Sequence, residues 1–249
     1  MIIIKSRREI EKIKAASNIV ARALEELRKR ICAGITTKEL DKMAEEFIVK
    51  NGGAPAFKGY KGYPNTACIS VNEEVVHGIP SEKRLEEGDI VSVDLGVLLD
   101  GYYGDAAITV PVNDTDDKAK RLLEVTQDSL YKAIEAARIG NRVADISYTI
   151  QSYVEDAGYS VVRDFVGHGI GRSLHEDPPV PNFGEPGKGP RLKAGMVLAI
   201  EPMVNAGGSE LIVSENGWTA VTKDGSLSAH FEHTVAITEN GPVILTVLQ

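Results

Sequence analysis

One order of segments occurs twice in this sequence: two amphipathic helical patterns, then apolar strand patterns that carry acidic residues. The same interval separates Gly34 from Gly140 and Gly52 from Gly158, and each glycine follows a helical pattern. Matches at one fixed interval indicate an internal duplication. Two copies are too few for a solenoid, so we expect the halves to close around one shared core.

The strand segments of the two halves align as well. Asp94 falls on Glu201 and, with an insertion allowed in the second half, Asp105 falls on Glu232. Each half therefore contributes one acidic pair. A closed arrangement of the halves predicts that all four carboxylates meet in one place.

The chain of 249 residues, 43% of them hydrophobic, is long enough for one domain with a substantial core. We expect a single domain over 1–249, with repeats at roughly 6–112 and 113–249. The net charge of -8 argues against a nucleic-acid or membrane partner. Two cysteines make no disulfide framework, and no apolar run reaches the roughly 18 residues of a membrane span. These features predict a cytoplasmic protein, and the lack of a long heptad pattern predicts a monomer.

Four helices are predicted from apolar residues at helical spacing, and capping residues mark two of their N-termini, Thr36 or Thr37 and Thr115 or Asp116. They cover about 6–31, 36–50, 115–138 and 143–156. Within the insertion of the second half, the residues from Glu210 to Thr222 predict an additional β-hairpin.

Asp100-Gly101 joins two apolar strand patterns and is typical of a two-residue hairpin turn. In that register Asp94 and Asp105 become diagonal neighbours on one face, about 7–8 Å apart at Cα. Two carboxylates among Val, Ile and Leu side chains are costly to bury, and they repel each other. A divalent cation between them removes both problems, but the hairpin alone is equally compatible with a solvated face.

His168 and His175 lie in a glycine-rich segment that we interpret as a loop. A single histidine is usually structural, whereas two in one segment favour a site. Four carboxylates with one imidazole form an oxygen-rich set suited to two metal ions. The chain has no H-E-x-x-H and no G-x-S-x-G motif, which excludes a single-zinc helix site and a serine-hydrolase elbow.

These acidic residues and His168 resemble, in order and sequence context, the metal ligands of the methionine aminopeptidases. The matching segments are V-D-L-G, Y-G-D-A-A, G-H-G-I-G, I-E-P-M and F-E-H-T. The resemblance covers nearly the whole chain and implies the α+β pita-bread fold, with duplicated halves and an antiparallel sheet around a di-metal site. The short segment from Glu201 to Glu232 leaves no room for the large helical insertion of type II members. We therefore expect a type I enzyme of the bacterial kind.

The resemblance implies an enzyme that uses metal-activated water to remove the initiator methionine from nascent proteins and peptides. Asp105 and Glu232 would bridge two divalent ions of Co, Mn, Fe or Zn. Asp94 would complete one metal site, and His168 with Glu201 the other. Nascent polypeptide N-termini are the implied partners, with the ribosome as one place of encounter.

The resemblance also implies roles for residues that do not hold metal. Glu201 would in addition shuttle a proton, and His175 would stabilise the carbonyl oxygen of the scissile bond. His77 would hydrogen-bond the peptide backbone just beyond that bond or relay a proton. His230 is two residues before Glu232, so on a strand both side chains face the same side. His230 would either support a metal ligand or have a purely structural role.

A methionine-binding pocket is implied as well, because aromatic rings and sulfur suit a polarizable thioether. Its residues would be Phe57, Tyr60, Tyr63, Cys68, Leu174 and Trp218. Many relatives have Cys in place of Phe57 and an aromatic residue in place of Leu174, so the shape of the pocket stays open. Trp218 is equally compatible with a core position, and Cys68 with an inert buried thiol.

Two alternatives stay open at this point. One is activity like that of Xaa-Pro aminopeptidases or prolidases, which share the fold. The other is a non-catalytic peptide-binding relative, although such proteins typically lose metal ligands, and none is missing here.

Overall fold

The computed structural model describes residues 1–248, so Gln249, the last residue of the predicted domain, lies outside the described residues. The architecture is α+β, as expected. Each half of the chain begins with two helices, which are followed by strands. The helices are α1 (Arg7–Arg28), α2 (Thr37–Lys50), α3 (Asp117–Ala136) and α4 (Val143–Asp156).

Side-chain caps determine where the helices begin. Ser6 and Thr36 each form a capping box with the glutamate three residues later, and Asp116 accepts the N–H of Ala119. These contacts satisfy backbone donors that the first helical turn leaves free. Two of the helices end slightly earlier than predicted. α1 stops at Arg28, and α3 stops because Ala137 leaves the helical conformation at ψ 59°.

Fifteen strands complete the fold, and their pairings are antiparallel throughout residues 1–248. In the first half they are β1 (Ala54–Pro55), β2 (Ala67–Val71), β3 (Glu74–Val76), β4 (Ile90–Leu99) and β5 (Tyr102–Pro111). In the second half they are β6 (Ser160–Val161), β7 (Val166–Gly169), β8 (Glu176–Pro181), β9 (Val197–Ile200), β10 (Met203–Asn205), β11 (Leu211–Val213), β12 (Ala220–Thr222), β13 (Ser228–His230), β14 (His233–Thr238) and β15 (Gly241–Ile244).

Over residues 1–248 the strands form four sheets. The larger first-half sheet has the order β1-β4-β2, with β5 paired to β4, and the second-half sheet has the order β15-β14-β9-β7-β8. Two small sheets, β13-β10-β6 and β11-β12-β3, complete the set, and the second of these includes the predicted extra hairpin. Between Glu201 and Glu232 the chain forms only short strands and turns, so this segment contains no helical insertion.

The β4–β5 hairpin has the predicted register. Leu99 pairs with Tyr102, Gly96 with Asp105 and Asp94 with Ala107. Asp100 and Gly101 both have positive φ, at 49° and 78°, as a tight hairpin turn requires. This register puts Asp94 and Asp105 on the same face of the sheet.

Each half has its own helix-covered core. α1 packs across β4 and β5, and the apolar residues of α3 and α4 pack with those of β9 and β14. A third cluster, which includes Ile13, Tyr102, Leu174 and Val197, lies between the halves. The acidic faces of both halves therefore come together beside this central cluster.

Within residues 1–248, every helix is too short or too polar to cross a membrane.

Candidate metal centre

A cavity of about 90 Å³ lies where the sheets of the two halves meet. Its wall includes every side chain that the sequence nominated for metal binding, catalysis or the methionine pocket. These are Phe57, Tyr60, Tyr63, Cys68, His77, Asp94, Asp105, His168, Leu174, His175, Glu201, Trp218 and Glu232. The cavity therefore brings together the residues that the resemblance selected, and it combines an acidic end with an aromatic one.

The acidic end is built by both sheets. Asp94 and Asp105 come from β4 and β5, His168 from β7, and Glu201 follows β9 directly. Glu232 lies between β13 and β14, and its N–H donates to the carbonyl of Ala107 at 2.9 Å. Both halves of the duplicated chain thus supply carboxylates to one site.

Side-chain atoms at this end are close enough to share an ion. One ligand atom each from Asp105, His168 and Glu232 lies within 4.8 Å of the other two. His168 Nε2 is 3.7 Å from Glu201 Oε1 and 3.9 Å from Asp105 Oδ2. Oxygens of Asp94, Asp105 and Glu232 are buried without a hydrogen-bond partner, which is costly unless a cation satisfies them.

Burial shifts the titration of this acidic group. It raises the pKa of Asp94 to about 7 and that of Glu201 to about 8. The pKa values of Asp105 and Glu232 are also raised well above their usual range, first by burial and then by neighbouring carboxylates. Burial lowers the pKa of His168 to about 4, so its imidazole is neutral and can act as a ligand at neutral pH. These buried carboxylates therefore need either protons or a cation among them.

His168 does not lie in a loop, so that part of the sequence interpretation was wrong. It lies on β7, between β8 and β9. Gly167 and Gly169 explain the difference, because a Cβ on either would overlap backbone oxygens of the neighbouring strands. A register shift between these glycines interrupts the pairing with β8. The glycines allow three strands to approach closely around the imidazole.

His175 lies at the rim of the acidic end. Its ring centroid is 4.2 Å from that of His168, and its ring stacks on Tyr60 at 5.2 Å with an interplanar angle of 21°. Its Nδ1 is 3.0 Å from the Tyr60 hydroxyl. Burial lowers the pKa of His175 to about 4, so the imidazole is neutral at physiological pH.

His77 borders the cavity from the first half. Its ring meets Phe165 edge-to-face at 5.2 Å, and its backbone has a φ of 58°, which is uncommon for a residue with a side chain. Burial lowers the pKa of His77 to about 4. The side chain is thus a neutral donor and acceptor near the acidic end without belonging to its close set of ligand atoms.

The aromatic end of the cavity is tightly packed. The ring of Trp218 meets Tyr63 edge-to-face at 5.2 Å, and the Tyr63 hydroxyl is 2.9 Å from the carbonyl oxygen of Gly78. Trp218 is partly buried and lines the cavity, so it is a wall residue rather than a central core residue. Burial raises the pKa of the Cys68 thiol, so Cys68 contributes a neutral, weakly reactive surface.

Phe57 depends on a glycine that the sequence reasoning did not single out. A Cβ on Gly96 would lie 2.6 Å from Cε1 of Phe57 and 2.9 Å from Cβ of Ala56. The phenyl ring therefore occupies space that only glycine leaves open. Gly96 does follow Asp94 closely in the matched V-D-L-G segment, so the signal was within the motif.

Three further supporting residues were missed. The Thr109 hydroxyl donates to the carbonyl of His230 at 2.7 Å and accepts the His230 N–H at 2.9 Å. Thr234 makes a similar pair of bonds with Asp105, and Phe165 packs on His77. The hydroxyl bonds span the two halves, so local sequence spacing carries no sign of them.

His230 is buried beside the acidic end. Its Nε2 lies 3.6 Å from Glu201 Oε2 and has no hydrogen-bond partner among the described residues. Burial lowers the pKa of His230. A neutral imidazole is thus directed at one of the carboxylates.

Comparison with known proteins agrees with this arrangement. The model of metallopeptidase family M24 matches residues 11–239. The chain is 55% identical to a methionine aminopeptidase of Clostridium perfringens, with 100% of both proteins covered. It is 56% identical to methionine aminopeptidase 1 of Bacillus subtilis, with 99% of both covered.

A crystal structure of methionine aminopeptidase from Thermotoga maritima is also similar. It superposes with a TM-score of 0.98 at 54% identity, covering 99% of this chain and 100% of that chain. The pita-bread fold expected from the sequence is therefore confirmed. By these matches the chain belongs to metallopeptidase family M24, and within it to the methionine aminopeptidases.

Proposed function

We propose that this protein removes the initiator methionine from nascent polypeptides, using water activated by two divalent ions at the acidic end of the cavity. The proposal depends on one observation above all. Carboxylate oxygens without hydrogen-bond partners converge with a neutral imidazole, directly beside an aromatic pocket. A hydrolase for an N-terminal residue with a long apolar side chain needs this combination.

The donor set fits divalent cations. Carboxylate oxygens with one imidazole suit Mn, Fe, Co or Zn, and four buried carboxylates cannot all stay ionised without positive charge among them. The ligands we propose are Asp94, Asp105, His168, Glu201 and Glu232. Asp105 and Glu232 are the proposed bridging residues. Ions bound there would supply Lewis acidity and a water able to attack near neutral pH.

Glu201 is the proposed proton carrier. Its carboxylate can accept a proton and then release it to a leaving amine. One oxygen faces His168 and the other faces His230. A carboxylate held between two imidazoles is well placed to take a proton from the attacking water and pass it on.

His175 is the proposed donor to the scissile carbonyl. When the Tyr60 hydroxyl donates to Nδ1, the proton of the neutral imidazole lies on Nε2, which then serves as the donor. A hydrogen-bond donor directed at developing negative charge stabilises the transition state. Tyr60 thus links the orientation of His175 to the wall of the methionine pocket.

His77 is proposed to hydrogen-bond the peptide backbone on the far side of the cleaved bond. Its neutral imidazole can donate one hydrogen bond and accept another. Replacing His77 with alanine should lower kcat/KM while metal content, measured by elemental analysis, stays at the wild-type level. A loss of metal in that variant would place His77 among the ligands instead.

The finer features of the function are also proposals. Nascent chain N-termini are the partners, with encounter at the ribosome in the cytoplasm. A monomer is sufficient, because one chain supplies every residue of the cavity wall. The short, helix-free segment between Glu201 and Glu232 supports assignment to type I.

A direct assay tests the function. Purified protein with added Mn²⁺ or Co²⁺ should release methionine from Met-Ala-Ser and should leave Xaa-Pro peptides intact. Asp105→Asn and Glu232→Gln should abolish this metal-dependent turnover. Metal-loaded protein that releases no methionine would exclude the proposal, and preferential cleavage of Xaa-Pro peptides would favour a prolidase-like activity.

A further inference from the structure

A buried ion pair between Lys5 and Glu176 lies next to His175, the proposed donor to the scissile carbonyl. Lys5 Nζ is 2.7 Å from Glu176 Oε2, and the two side chains are only 4% and 6% exposed. The backbone N–H of Lys5 also donates to the carbonyl of Gly195 at 2.7 Å, which fixes the segment that carries the lysine. The pair thus ties the start of the chain to the residue that follows His175.

Glu176 organises the connection between β7 and β8. Its Oε1 accepts the N–H of Arg172 at 2.8 Å and the N–H of Ser173 at 3.2 Å. With Lys5 on Oε2, the carboxylate satisfies three donors from two separate parts of the chain. Charge-assisted bonds of this kind hold a loop more firmly than neutral ones.

The location of Gly171 shows how closely the pair is packed. A Cβ on Gly171 would lie 2.6 Å from Cε of Lys5 and 2.7 Å from Oε1 of Glu176. The ion pair therefore occupies the space beside the backbone at the start of this connection. It has little freedom to move without moving the connection itself.

His175 is the last residue of the bent connection, and Glu176 is the first residue of β8. Holding Glu176 beside Lys5 therefore fixes the backbone next to His175, whose ring meets Tyr60 and His168 in the cavity. The ion pair does not line that cavity. The ion pair can therefore affect the reaction only through the orientation of His175.

We propose that Lys5 and Glu176 are positioning residues that set the orientation of His175 for catalysis. The inference rests on the proposed function, because it assumes that His175 acts on the scissile carbonyl. It assigns a catalytic effect to a lysine that is distant in sequence from the reacting groups and does not line their cavity.

The test is a double-mutant cycle between Lys5 and His175, measured on Met-Ala-Ser with Mn²⁺. Lys5→Met removes the charge but keeps an unbranched chain, and it should lower kcat about 10- to 100-fold with KM changed much less. Lys5→Arg should restore most of the lost kcat. In a His175→Ala background, Lys5→Met should change kcat less than about twofold.

Two measurements separate positioning from general damage. Mn²⁺ affinity by isothermal titration calorimetry should be the same in Lys5→Met and the wild type, because the proposed ligands are untouched. Lys38→Met breaks an exposed ion pair with Glu82 at 2.7 Å and is the matched control, expected to leave kcat unchanged. Every rate is measured below the thermal midpoint of the variant.

If Lys5→Met does not fold, Glu176→Gln replaces it in the cycle. The amide oxygen still accepts the N–H groups of Arg172 and Ser173 but no longer attracts the lysine. Glu176→Gln should lower kcat several-fold in the wild-type background. In the His175→Ala background the same change should leave kcat nearly unaltered.

Equal losses of kcat from Lys5→Met in the wild-type and His175→Ala backgrounds would overturn the inference, as would an unchanged kcat in the wild-type background. A wild-type protein that releases no methionine would overturn the proposed function first, so the two failures are distinguishable.

Discussion

Thr234 clamps the backbone of Asp105 from the other half of the molecule. Its hydroxyl accepts the Asp105 N–H at 3.1 Å and donates to the Asp105 carbonyl at 2.7 Å. Both residues are buried. A proposed bridging carboxylate of the first half is thus held in register by a strand of the second half.

Replacing Thr234 with valine should destabilise both the fold and the metal centre. The change leaves a buried N–H and a buried carbonyl unpaired, at a cost of about 1–3 kcal/mol. Urea unfolding should show this loss, and calorimetry should show weaker Mn²⁺ binding. Thr234→Ser keeps the hydroxyl and is the control. Equal Mn²⁺ affinity in the valine and serine variants would show that the clamp does not set the position of Asp105.

Removing metal should make the stability of the protein fall with pH. Burial raises the pKa of Asp94 to about 7 and that of Glu201 to about 8. A carboxyl group whose folded pKa exceeds its unfolded value of about 4 contributes stability that is fully present below pH ~4. This contribution is lost as the pH rises through 7 to 8, because the folded state must then bury ionised carboxylates.

Thermal unfolding with EDTA and with Mn²⁺ measures this effect. The stabilisation by Mn²⁺ should grow from about pH 5 to about pH 8, since the cation binds the ionised carboxylates. The Asp105→Asn/Glu232→Gln double variant should show a smaller dependence. Below about pH 6.5 the buried histidines with lowered pKa values make stability rise with pH, which opposes this effect. A midpoint of the metal-free protein that stays constant or rises between pH 7 and 8 would contradict the burial argument.

Local sequence signals predicted the elements around the site well. Asp100-Gly101 determined the hairpin register, and that register placed Asp94 and Asp105 on one face. Helical spacing from Ser6 and a cap at Thr36 or Thr37 predicted two helix starts, where the structure has capping boxes. These features depend on neighbours within a few residues, so a single sequence contains the information.

Contacts between distant segments were not predictable in the same way. His168 was expected in a loop, because two glycines beside a histidine suggest a turn, yet here they allow strand contact. The bonds from Lys5 to Glu176 and from Thr234 to Asp105 join residues far apart in the chain. Such pairs depend on how the two halves dock. The hydrophobic periodicity of the sequence contains no information about that docking.

Gly96 should control the shape of the methionine pocket. In Gly96→Ala the new methyl group would overlap the Phe57 ring, so the ring should move into the cavity. Overpacking of this kind costs about 1–3 kcal/mol, and we expect KM for Met-Ala-Ser to rise about tenfold with kcat less affected. Adding Phe57→Leu should recover part of the affinity. A Gly96→Ala enzyme with wild-type KM would show that the ring does not border the bound methionine.

His230 should support metal binding through Glu201. Its Nε2 is 3.6 Å from Glu201 Oε2 and has no hydrogen-bond partner among residues 1–248. A neutral imidazole can donate to a ligand carboxylate and hold it in one orientation, and loss of such a contact typically weakens metal binding 10–100-fold. His230→Leu should therefore raise the Kd for Mn²⁺ in calorimetry, whereas His230→Gln retains a donor and should bind nearly as well as the wild type. If the leucine variant binds Mn²⁺ with unchanged Kd, the imidazole only fills space beside Glu201.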